Sequence, residues 1–417
     1  MEKGKKVLVV GAGGREHAII KSLTRSPKVE KIYCAPGNAG IAEDAELVNL
    51  KVDDIEGITN FVQRNNIDLT VIGPEAALVA GLADALKNHD LRVFGPTKGA
   101  AQIESSKEFA KKLMLKNNIP TGRYETFDDF DKALNYVKKS SFPTVIKYDG
   151  LAAGKGVVVA ANLQEAENAL IEMLKEHKFG EDKVIIEEFL QGPEFSFMCF
   201  VSGEKVYPLE LAQDHKRAFD GDKGPNTGGM GAYSPVPFIS PDAYEKALKE
   251  IMIPAAKGLV EEGYPFCGVL YGGLILTDEG PKVIEFNARF GDPETEVVLP
   301  RLESDIYDFI NAVIEGKDYI PQWSRDAVIG VVLASKGYPG SYEKGAEIKG
   351  LEKVKGDVFH MGTEKSDDKI LVAGGRVVMI TARGEDLPIA NMNVKKEISL
   401  IECPSLFYRN DIGKACL

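Results

Sequence analysis

The residues with the most evident chemistry lie in the stretch VIEFNARFGDPE, residues 283 to 294. In a β-strand, side chains at alternate positions share a face, so Glu285, Asn287 and Arg289 line up while positions 286, 288 and 290 pack inward. Carboxylate and amide oxygens are the ligands that magnesium prefers, and a guanidinium suits an anion. We therefore predict a metal and anion site here, with a merely exposed polar face as the alternative.

A second candidate stretch is VIKYDGLAAGKGVVVA, residues 145 to 160. A lysine held in a strand, here Lys147, can point at phosphate oxygens, while the loop of Gly150, Gly154 and Gly156 brings backbone amides over them. The stretch is not a Walker motif, because Gly-Lys-Gly lacks the following Ser or Thr. The pattern predicts a nucleotide-phosphate site; a plain hairpin with an exposed Lys155 is the alternative.

Two further polar stretches depend on these neighbours for their interpretation. In VIIEEFLQGPEFS (184 to 196), backbone at a strand exit can hydrogen-bond an adenine edge, and Glu194 can accept ribose hydroxyls. The segment from 212 to 235 is polar and glycine-rich, which a compact domain seldom keeps unless it binds something. We expect its contacts to come from Asp214, Lys216 and Asn226, and we do not assign His17 or His215 as catalytic.

The N-terminal glycine loop lies in VLVVGAGGREHAII, residues 7 to 20. Gly11 and Gly13 fit the dinucleotide fingerprint, but Glu16 occupies the position of its third glycine. The backbone amides from Gly13 to Arg15 can still bind an anion at a helix N-terminus. The loop therefore predicts a phosphate more firmly than a dinucleotide.

The elements that position these residues follow from hydrophobic periodicity. Residues 6 to 104 alternate short apolar strands with amphipathic helices, one of them over 78 to 88, which predicts a doubly wound parallel sheet. A helix over 105 to 117 follows, then a small α+β unit over 122 to 190. Residues 191 to 320 are predicted to be strand-rich, with a hairpin at 278 to 280, and so are those from about 326.

Composition limits the class of protein. With 417 residues, two to four domains are expected. Apolar runs are strand-sized, so we predict no membrane span. We also predict no signal peptide and a cytoplasmic location. The five cysteines form no C-x-x-C pair, which argues against a zinc knuckle or a disulfide framework. A net charge of -12 disfavours nonspecific nucleic-acid binding.

In their order along the chain, these stretches resemble the ATP-grasp superfamily and, within it, the glycinamide ribonucleotide synthetase family. The resemblance covers essentially the whole chain and rests on GAGGREHA, APGNAG, GPEAAL, DGLAAGKGV, EEFL, QDHKR, GPNTGGMGAYSP, IEFNARFGDPE and YRNDIG. It implies an α/β and α+β multidomain protein. Its parts are an N-terminal domain at 1–104, an ATP-grasp domain at 105–325 with a mobile lid subdomain near 122–190, and a strand-rich C-terminal domain at 326–417.

The resemblance also implies an activity. The family ligates glycine to 5-phosphoribosylamine with ATP, through glycyl phosphate, and releases glycinamide ribonucleotide, ADP and phosphate in purine biosynthesis. The expected cofactors are ATP and Mg²⁺ or Mn²⁺, and the expected partners are these small molecules, with no nucleic acid and no membrane. We expect a cytoplasmic monomer.

Site roles are carried over by position in the family motifs. ATP binding is assigned to Lys107, Lys147, Gly154, Gly156, Glu187, Glu188, Phe189, Leu190 and Glu194, and metal binding to Glu285 and Asn287. Substrate binding is assigned to Gly13, Gly14, Arg15, Asn38, Glu75, Asp214, Lys216, Asn226, Gly228 and Arg289. Of these residues, Lys147, Asp214 and Arg289 are assigned catalytic roles. Two positions depart from the family pattern, Tyr148 and Pro193.

Three other functions stay open at the level of sequence. Another ATP-grasp ligase or a carboxylase would share the nucleotide site. A dehydrogenase would need NAD in the N-terminal loop, against which Glu16 argues. A nucleotide-sensing protein would keep the lysines but form no ADP.

Overall fold

The N-terminal part of the chain is a five-stranded parallel sheet. The computed structural model describes residues 4–150, 156–180 and 183–416. The strands are β1 (Lys5–Gly11), β2 (Val29–Pro36), β3 (Glu46–Leu47), β4 (Leu69–Ile72) and β5 (Val93–Phe94), in the order β3-β2-β1-β4-β5. The helices are α1 (Gly14–Thr24), α2 (Ile41–Asp44), α3 (Ile55–Asn65), α4 (Glu75–Val79) and α5 (Leu82–Asn88). This confirms the doubly wound sheet, and the order reverses between β1 and β4, where such sheets bind ligands.

One predicted helix of this part is interrupted. The pattern over 78 to 88 predicted a single helix, but α4 ends at Val79 and α5 begins at Leu82. Gly81 lies between them with φ of 90°, a left-handed conformation that glycine adopts without steric cost. Periodicity alone missed the break, because apolar residues continue on both sides of it.

The next part contains the lid subdomain. After α6 (Gln102–Ser105) and α7 (Lys107–Lys116) come β6 (Tyr124–Phe127), α8 (Phe130–Val137), β7 (Thr144–Tyr148), β8 (Val157–Ala160), α9 (Leu163–Leu170) with a π-helical extension (Ile171–Lys175), and β9 (Val184–Glu188). The strands form an antiparallel sheet ordered β6-β9-β7-β8. Ile146 and Tyr148 pack into the core of this unit, so Lys147 between them faces the opposite side. The predicted contact from Gly154 lies outside the described residues.

The polar segment 212 to 235 is structured rather than an irregular loop. After β10 (Glu194–Ser202) and β11 (Lys205–Pro208) it forms β12 (Gln213–Asp214), β13 (Arg217–Phe219), β14 (Lys223–Asn226) and β15 (Gly231–Ser234). β13 and β14 pair as an isolated two-stranded hairpin. These strands have two to four residues, too few for hydrophobic alternation to indicate them. β12 is defined by its pairing with β15, and β15 also pairs with the distant β18.

The region predicted as strand-rich, 191 to 320, also contains helices, which corrects that expectation. They are α10 (Pro241–Lys246), continued by a π-helical turn (Ala247–Met252) and α11 (Ile253–Glu261), then α12 (Thr295–Val298) with a 3₁₀ turn (Leu299–Arg301), and α13 (Ile306–Ile314). The predicted hairpin is present as β16 (Cys267–Thr277) and β17 (Gly280–Asn287). Together with β10 and β11 it makes an antiparallel sheet ordered β11-β10-β16-β17.

The C-terminal part is built on a sheet that includes two strands from earlier in the chain. Its elements are β18 (Ala327–Ser335), β19 (Glu347–Ile348), a 3₁₀ turn (Leu351–Lys353), β20 (Asp357–His360), β21 (Thr363–Ser366), β22 (Lys369–Val372), β23 (Arg376–Gly384), α14 (Leu387–Ile398), β24 (Leu406–Phe407) and a 3₁₀ turn (Lys414–Cys416). The main sheet has the order β12-β15-β18-β23-β20, with β24 also paired to β18. Two strands from the middle of the chain therefore complete it. Across residues 4–150, 156–180 and 183–416, no helix is long and apolar enough to cross a membrane.

Candidate active site

The lid subdomain and β17 meet at Lys147. This side chain is 4% exposed, and its Nζ donates to Glu187 Oε2 at 3.1 Å and to the carbonyl of Ile284 at 2.9 Å. The second bond crosses from the lid subdomain to β17. Lys147 thus lies in the cleft between the two units, where the sequence predicted a phosphate-contacting lysine.

Two lysines of α7 reach the same cleft. Lys107 Nζ donates to the carbonyl of Gly150 at 2.9 Å, so it lies at the start of the glycine-rich loop. Lys111 was missed by the sequence reading: its buried Nζ lies 3.0 Å from Glu187 Oε2 and donates to Thr121 at 2.8 Å. Burial lowers the pKa of both lysines. Their spacing of four residues on one helix face was the signal that could have identified Lys111.

Glu187 is the shared carboxylate of these lysines. Its Oε2 accepts from Lys147 and lies beside Lys111, while its buried Oε1 has no hydrogen-bond partner among the described residues. Glu188, by contrast, is exposed, and a hydrogen bond from the Arg123 backbone N–H holds its pKa below the usual value. The two adjacent glutamates therefore have different roles, one buried and one solvated.

The remaining predicted nucleotide contacts lie after β9, at the start of β10 and before β8. Phe189 is 37% exposed and Leu190 is half-buried, so this segment lies at the surface. Glu194 begins β10 with an exposed carboxylate, 3.4 Å from Lys216 Nζ. Gly156 precedes β8, and its carbonyl accepts from the Tyr148 N–H at 2.8 Å.

Opposite this edge, β12 contributes Asp214 and the following turn Lys216. Burial raises the pKa of Asp214 to about 7, with Glu294, Glu194 and Glu285 adding to the shift and Lys216 opposing it. The carboxylate of Asp214 in turn raises the pKa of Lys216 well above its usual value. An acid that titrates near neutrality beside a firmly protonated lysine is typical of a functional site.

Glu285 is the carboxylate around which the cations converge. Burial alone would raise its pKa, but Lys216, Lys147, Lys107 and Arg289 outweigh burial and hold the pKa below the usual value. Its carboxylate is therefore charged at neutral pH. Positions 286, 288 and 290 are all buried, as predicted, but β17 ends at Asn287, so the strand does not extend to Arg289 as the alternation assumed.

Asn287 ends β17 and is engaged by its neighbour. Its Oδ1 accepts from Arg289 Nη2 at 3.1 Å, and Arg289 itself lies just beyond the strand. The amide oxygen has a second lone pair, so Asn287 could bind a metal while it accepts this hydrogen bond. Among residues 4–150, 156–180 and 183–416, no group of three or more His, Cys, Asp or Glu side chains is arranged to hold a metal. A metal here would complete its shell with water and substrate oxygens, as magnesium does.

Arg289 is held by two carboxylates, one of which the sequence reading missed. Its Nη2 lies 3.1 Å from Glu104 Oε1, and its Nε lies 3.6 Å from Glu75 Oε2. Glu104, on α6, also accepts the Ala288 N–H at 2.8 Å. It therefore fixes both the backbone and the guanidinium beyond β17. Only the fold brings Glu104 near this strand, and no local pattern indicated it.

The N-terminal glycine loop lies at the far side of Glu75. Arg15 Nη2 is 3.7 Å from Glu75 Oε2, and Arg15 Nε donates to Glu16 Oε1 at 2.7 Å. Glu16 also accepts the Gly13 N–H at 2.6 Å. The residue that replaces the third fingerprint glycine therefore folds back onto the loop, and Gly14 begins α1 beside it.

One predicted substrate contact, Asn38, already has internal hydrogen-bond partners for its side chain. The Asn38 amide donates to the carbonyls of Ala12 and His360, and its oxygen accepts the N–H groups of Gly40 and Ile41. Its side chain thus braces the glycine loop. A role for Asn38 in binding substrate stays a prediction.

The polar segment supplies the last two predicted contacts. Asn226 is exposed on β14. The Gly228 N–H is bound by the Tyr338 hydroxyl at 3.0 Å, and its carbonyl accepts from Arg376 Nη1 at 2.9 Å. Arg376 also lies 2.9 Å from Asp292, so β23 reaches into the cleft.

The class of protein these features define is ATP-grasp. Residues 105–295 match the model of the phosphoribosylglycinamide synthetase ATP-grasp (A) domain. Residues 5–104 match the N domain and residues 328–415 the C domain of the same synthetase. The chain belongs to the phosphoribosylglycinamide synthetase family.

Individual relatives agree with this membership. The chain is 52% identical to a phosphoribosylamine–glycine ligase of Halalkalibacterium halodurans, over 99% of this chain and 97% of the relative. It is 50% identical to one from Listeria innocua, over 98% and 99%. The crystal structure of a phosphoribosylamine–glycine ligase from Thermotoga maritima superposes with a TM-score of 0.87 at 33% identity, covering 98% of this chain and 100% of that one. The biotin carboxylase domain of a Hydrogenobacter thermophilus enzyme shares the fold, with a TM-score of 0.74 at 16% identity.

Proposed function

We propose that this protein ligates glycine to 5-phosphoribosylamine with ATP, giving glycinamide ribonucleotide, ADP and phosphate. The observation that carries the proposal is the charge around Glu285, where cations from the lid subdomain, α7 and the turn after β12 face one anionic side chain. Such a cleft suits a polyphosphate, a metal and a small carboxylic acid. Full-length similarity to phosphoribosylamine–glycine ligases supports the choice of glycine and the amine.

In this proposal the nucleotide lies between the lid subdomain and β17. Lys107 and Lys147 bind phosphate oxygens, and the exit of β9 receives the adenine. Glu194 accepts ribose hydroxyls. The unpartnered Oε1 of Glu187 supports this assignment, because a buried acceptor requires a donor and adenine carries an amino group.

Glu285 and Asn287 would hold a divalent cation, Mg²⁺ or Mn²⁺. Their oxygen atoms are the ligands that such hard ions prefer, and the depressed pKa of Glu285 keeps its carboxylate charged. When bound, the ion would supply charge neutralisation at the phosphate oxygens. One carboxylate and one amide suffice only if the nucleotide contributes further ligands.

The two other substrates are assigned to neighbouring subsites. Asp214 and Arg289 bind the ammonium and carboxylate of glycine, with Lys216 beside them. The phosphate and ribose of phosphoribosylamine are held at the start of α1, where Arg15 and Glu75 lie. Gly13, Gly14, Asn38, Asn226 and Gly228 complete these subsites in the proposal.

The chemistry follows from the poor reactivity of a carboxylate. A glycine carboxylate oxygen attacks the γ-phosphorus of ATP, the bond to the bridging oxygen of ADP breaks, and glycyl phosphate forms. The amine nitrogen then attacks the acyl carbon, and phosphate leaves with one former carboxylate oxygen. Lys147 stabilises the transferring phosphoryl group, since positioning and charge provide most of phosphoryl-transfer catalysis.

The acyl-phosphate route predicts oxygen transfer. With glycine labelled by ¹⁸O in its carboxylate, one label is expected in each inorganic phosphate released, measured by mass spectrometry. Freshly prepared phosphoribosylamine and an enzyme-free reaction serve as substrate and control. Product formed with unlabelled phosphate would contradict the route, and absence of glycine-dependent ADP formation would contradict the function.

Arg15→Ala is predicted to separate the two anion sites. The guanidinium lies at the start of α1, where it contacts Glu16, Glu75 and the carbonyl of Phe290. Its loss should therefore raise the KM for phosphoribosylamine by about tenfold, as expected for one lost charged contact. The KM for ATP should stay within about twofold of wild type. Arg25→Ala, at the other end of α1, is the matched control. Equal weakening of both substrates would contradict the two-site arrangement.

The cytoplasmic location and monomeric state stay predictions. Gel filtration with light scattering measures the second directly.

A further inference from the structure

The motif YRNDIG near the end of the chain forms a clasp, which we define as residues 409–413. Arg409 is 1% exposed, and its guanidinium lies 2.9 Å from Asp222 Oδ1 and 2.7 Å from Asp411 Oδ1. Its Nη1 also donates to the carbonyl of Arg217 at 3.0 Å. One buried cation therefore joins the clasp to the first residue of β13 and to Asp222 in the turn between β13 and β14, about 190 positions earlier.

The rest of the clasp binds the tip of the same hairpin. The Gly221 N–H donates to Asp411 Oδ2 at 2.7 Å. The Asn410 backbone and side-chain N–H groups donate to the two carboxylate oxygens of Asp220 at 2.8 Å and 3.2 Å. The clasp thus satisfies the polar groups of a turn that is otherwise exposed.

Few other contacts hold the outer part of the hairpin, although Ala218 in the middle of β13 is fully buried. Among the strands described, β13 and β14 pair only with each other, and the residues of β14 are exposed. A two-stranded hairpin is marginally stable by itself in water. Apart from the clasp, Phe219 contributes a ring contact to Phe407 at 5.9 Å, and Phe219 is half exposed. The clasp is therefore the main restraint on the outer end of the hairpin.

The inner end of the hairpin is the substrate cleft. Thr227 donates to the Lys216 carbonyl twice, from its N–H at 2.7 Å and its hydroxyl at 2.8 Å. The residue that follows β14 is therefore bound to the residue that precedes β13. The Gly413 N–H lies 3.4 Å from His215 Nε2, directly beside Lys216. Movement at the tip would be transmitted to Lys216 and Asn226 through this short ladder.

We propose that the C-terminal clasp is a positioning element for the glycine subsite, acting through the β13–β14 hairpin on Lys216. The inference rests on the proposed function, because it assigns glycine to the cleft beside Lys216. Arg409 touches no substrate in this arrangement. It sets the register and angle of the segment that carries Lys216, so that the ammonium group lies 3.4 Å from Glu194 and in the field of the Asp214 and Glu285 carboxylates.

A positioning role and a purely stabilising role predict different effects on the KM for glycine. If the clasp only stabilised the fold, its loss would lower the amount of folded enzyme and leave the KM values of the folded fraction unchanged. If it positions Lys216, the KM for glycine rises selectively. Small displacements of binding groups can lower rates by about 10²-fold, so the effect is measurable.

The test compares Arg409→Gln, Arg409→Lys and the milder Asn410→Ala with wild type. We expect the KM for glycine to rise about tenfold or more in Arg409→Gln, less in the other two, with the KM for ATP within about twofold. Trypsin should cleave the hairpin after Arg217 or Lys223 faster in the same order. Arg92→Gln, which removes a bond to Glu315 away from the cleft, is the matched control.

Each outcome of these experiments supports or overturns the positioning role of the clasp. Should Arg409→Gln fail to fold, Asn410→Ala keeps the comparison, since it removes only the side-chain bond to Asp220. Faster hairpin cleavage with an unchanged KM for glycine would overturn the positioning role, and so would equal rises in the KM for glycine and ATP. Wild-type protein that forms no ADP in response to glycine would instead overturn the proposed function, and this inference with it.

Discussion

Replacing Lys147 with alanine is expected to lower kcat at saturating ATP by about 10²-fold or more, the usual cost of losing a preorganised charge at a transferring group. The Lys147 ammonium lies between the lid subdomain and β17, bound to Glu187 and the Ile284 carbonyl. Lys111 cannot replace it, because its own Nζ is held by Glu187 and Thr121. ADP formation with all substrates saturating measures the effect.

A control variant distinguishes the loss of a lysine in the cleft from the loss of a lysine elsewhere on the lid subdomain. Lys178→Ala removes an exposed lysine of the same unit that pairs with Glu172, and it should leave kcat within about twofold. Thermal unfolding of both variants checks that the fold is intact. Turnover of Lys147→Ala close to that of wild type would show that phosphoryl transfer does not depend on this lysine.

Glu285→Ala is expected to slow turnover by about 10²-fold and to raise the concentration of Mg²⁺ needed for half-maximal rate. Asn287 offers only a neutral oxygen, which cannot substitute for an anionic ligand. The measurement is the initial rate against Mg²⁺ at fixed ATP. The control is Glu279→Ala, which changes an exposed glutamate of the same hairpin that pairs with Lys282.

Binding of ADP without metal gives an independent result. Glu285 faces Lys216, Lys147 and Lys107, so removing its negative charge leaves these cations uncompensated. Calorimetry in a chelating buffer should then show ADP bound by Glu285→Ala at least as tightly as by wild type, while the gain in affinity on adding Mg²⁺ is lost. An unaltered Mg²⁺ dependence would mean that Glu285 is only a buried strand residue.

Much of the cleft was predictable because it depends on local patterns. Strand alternation placed Glu285 opposite buried Phe286, as the structure has them, and Lys147 lies on a strand as predicted. The glycine loop at Gly13 also follows β1 and precedes α1 as expected. In each case, neighbours within a few residues determine which way the side chain faces.

The missed residues depend on contacts that are distant in sequence. Glu104 reaches Ala288 and Arg289 across more than 180 positions, so nothing near α6 indicates its partner. Lys111 was obscured by the ordinary appearance of a lysine-rich helix. The strands β12 and β15 were missed for a related reason, because glycine-rich segments lack a hydrophobic period and take their conformation from the strands beside them.

The sheet completed by β15 has a consequence for how this gene can be recombined. All four residues of β15 are buried, and they pair with β18 from Gly231 opposite Val331 to Ser234 opposite Val328. A crossover between two relatives near residue 326 would join β15 of one parent to β18 of the other within a single buried layer. The last 90 or so residues therefore cannot be exchanged between relatives by themselves. A chimera with a compatible sheet must take residues 213–234 and the C-terminal strands from the same parent.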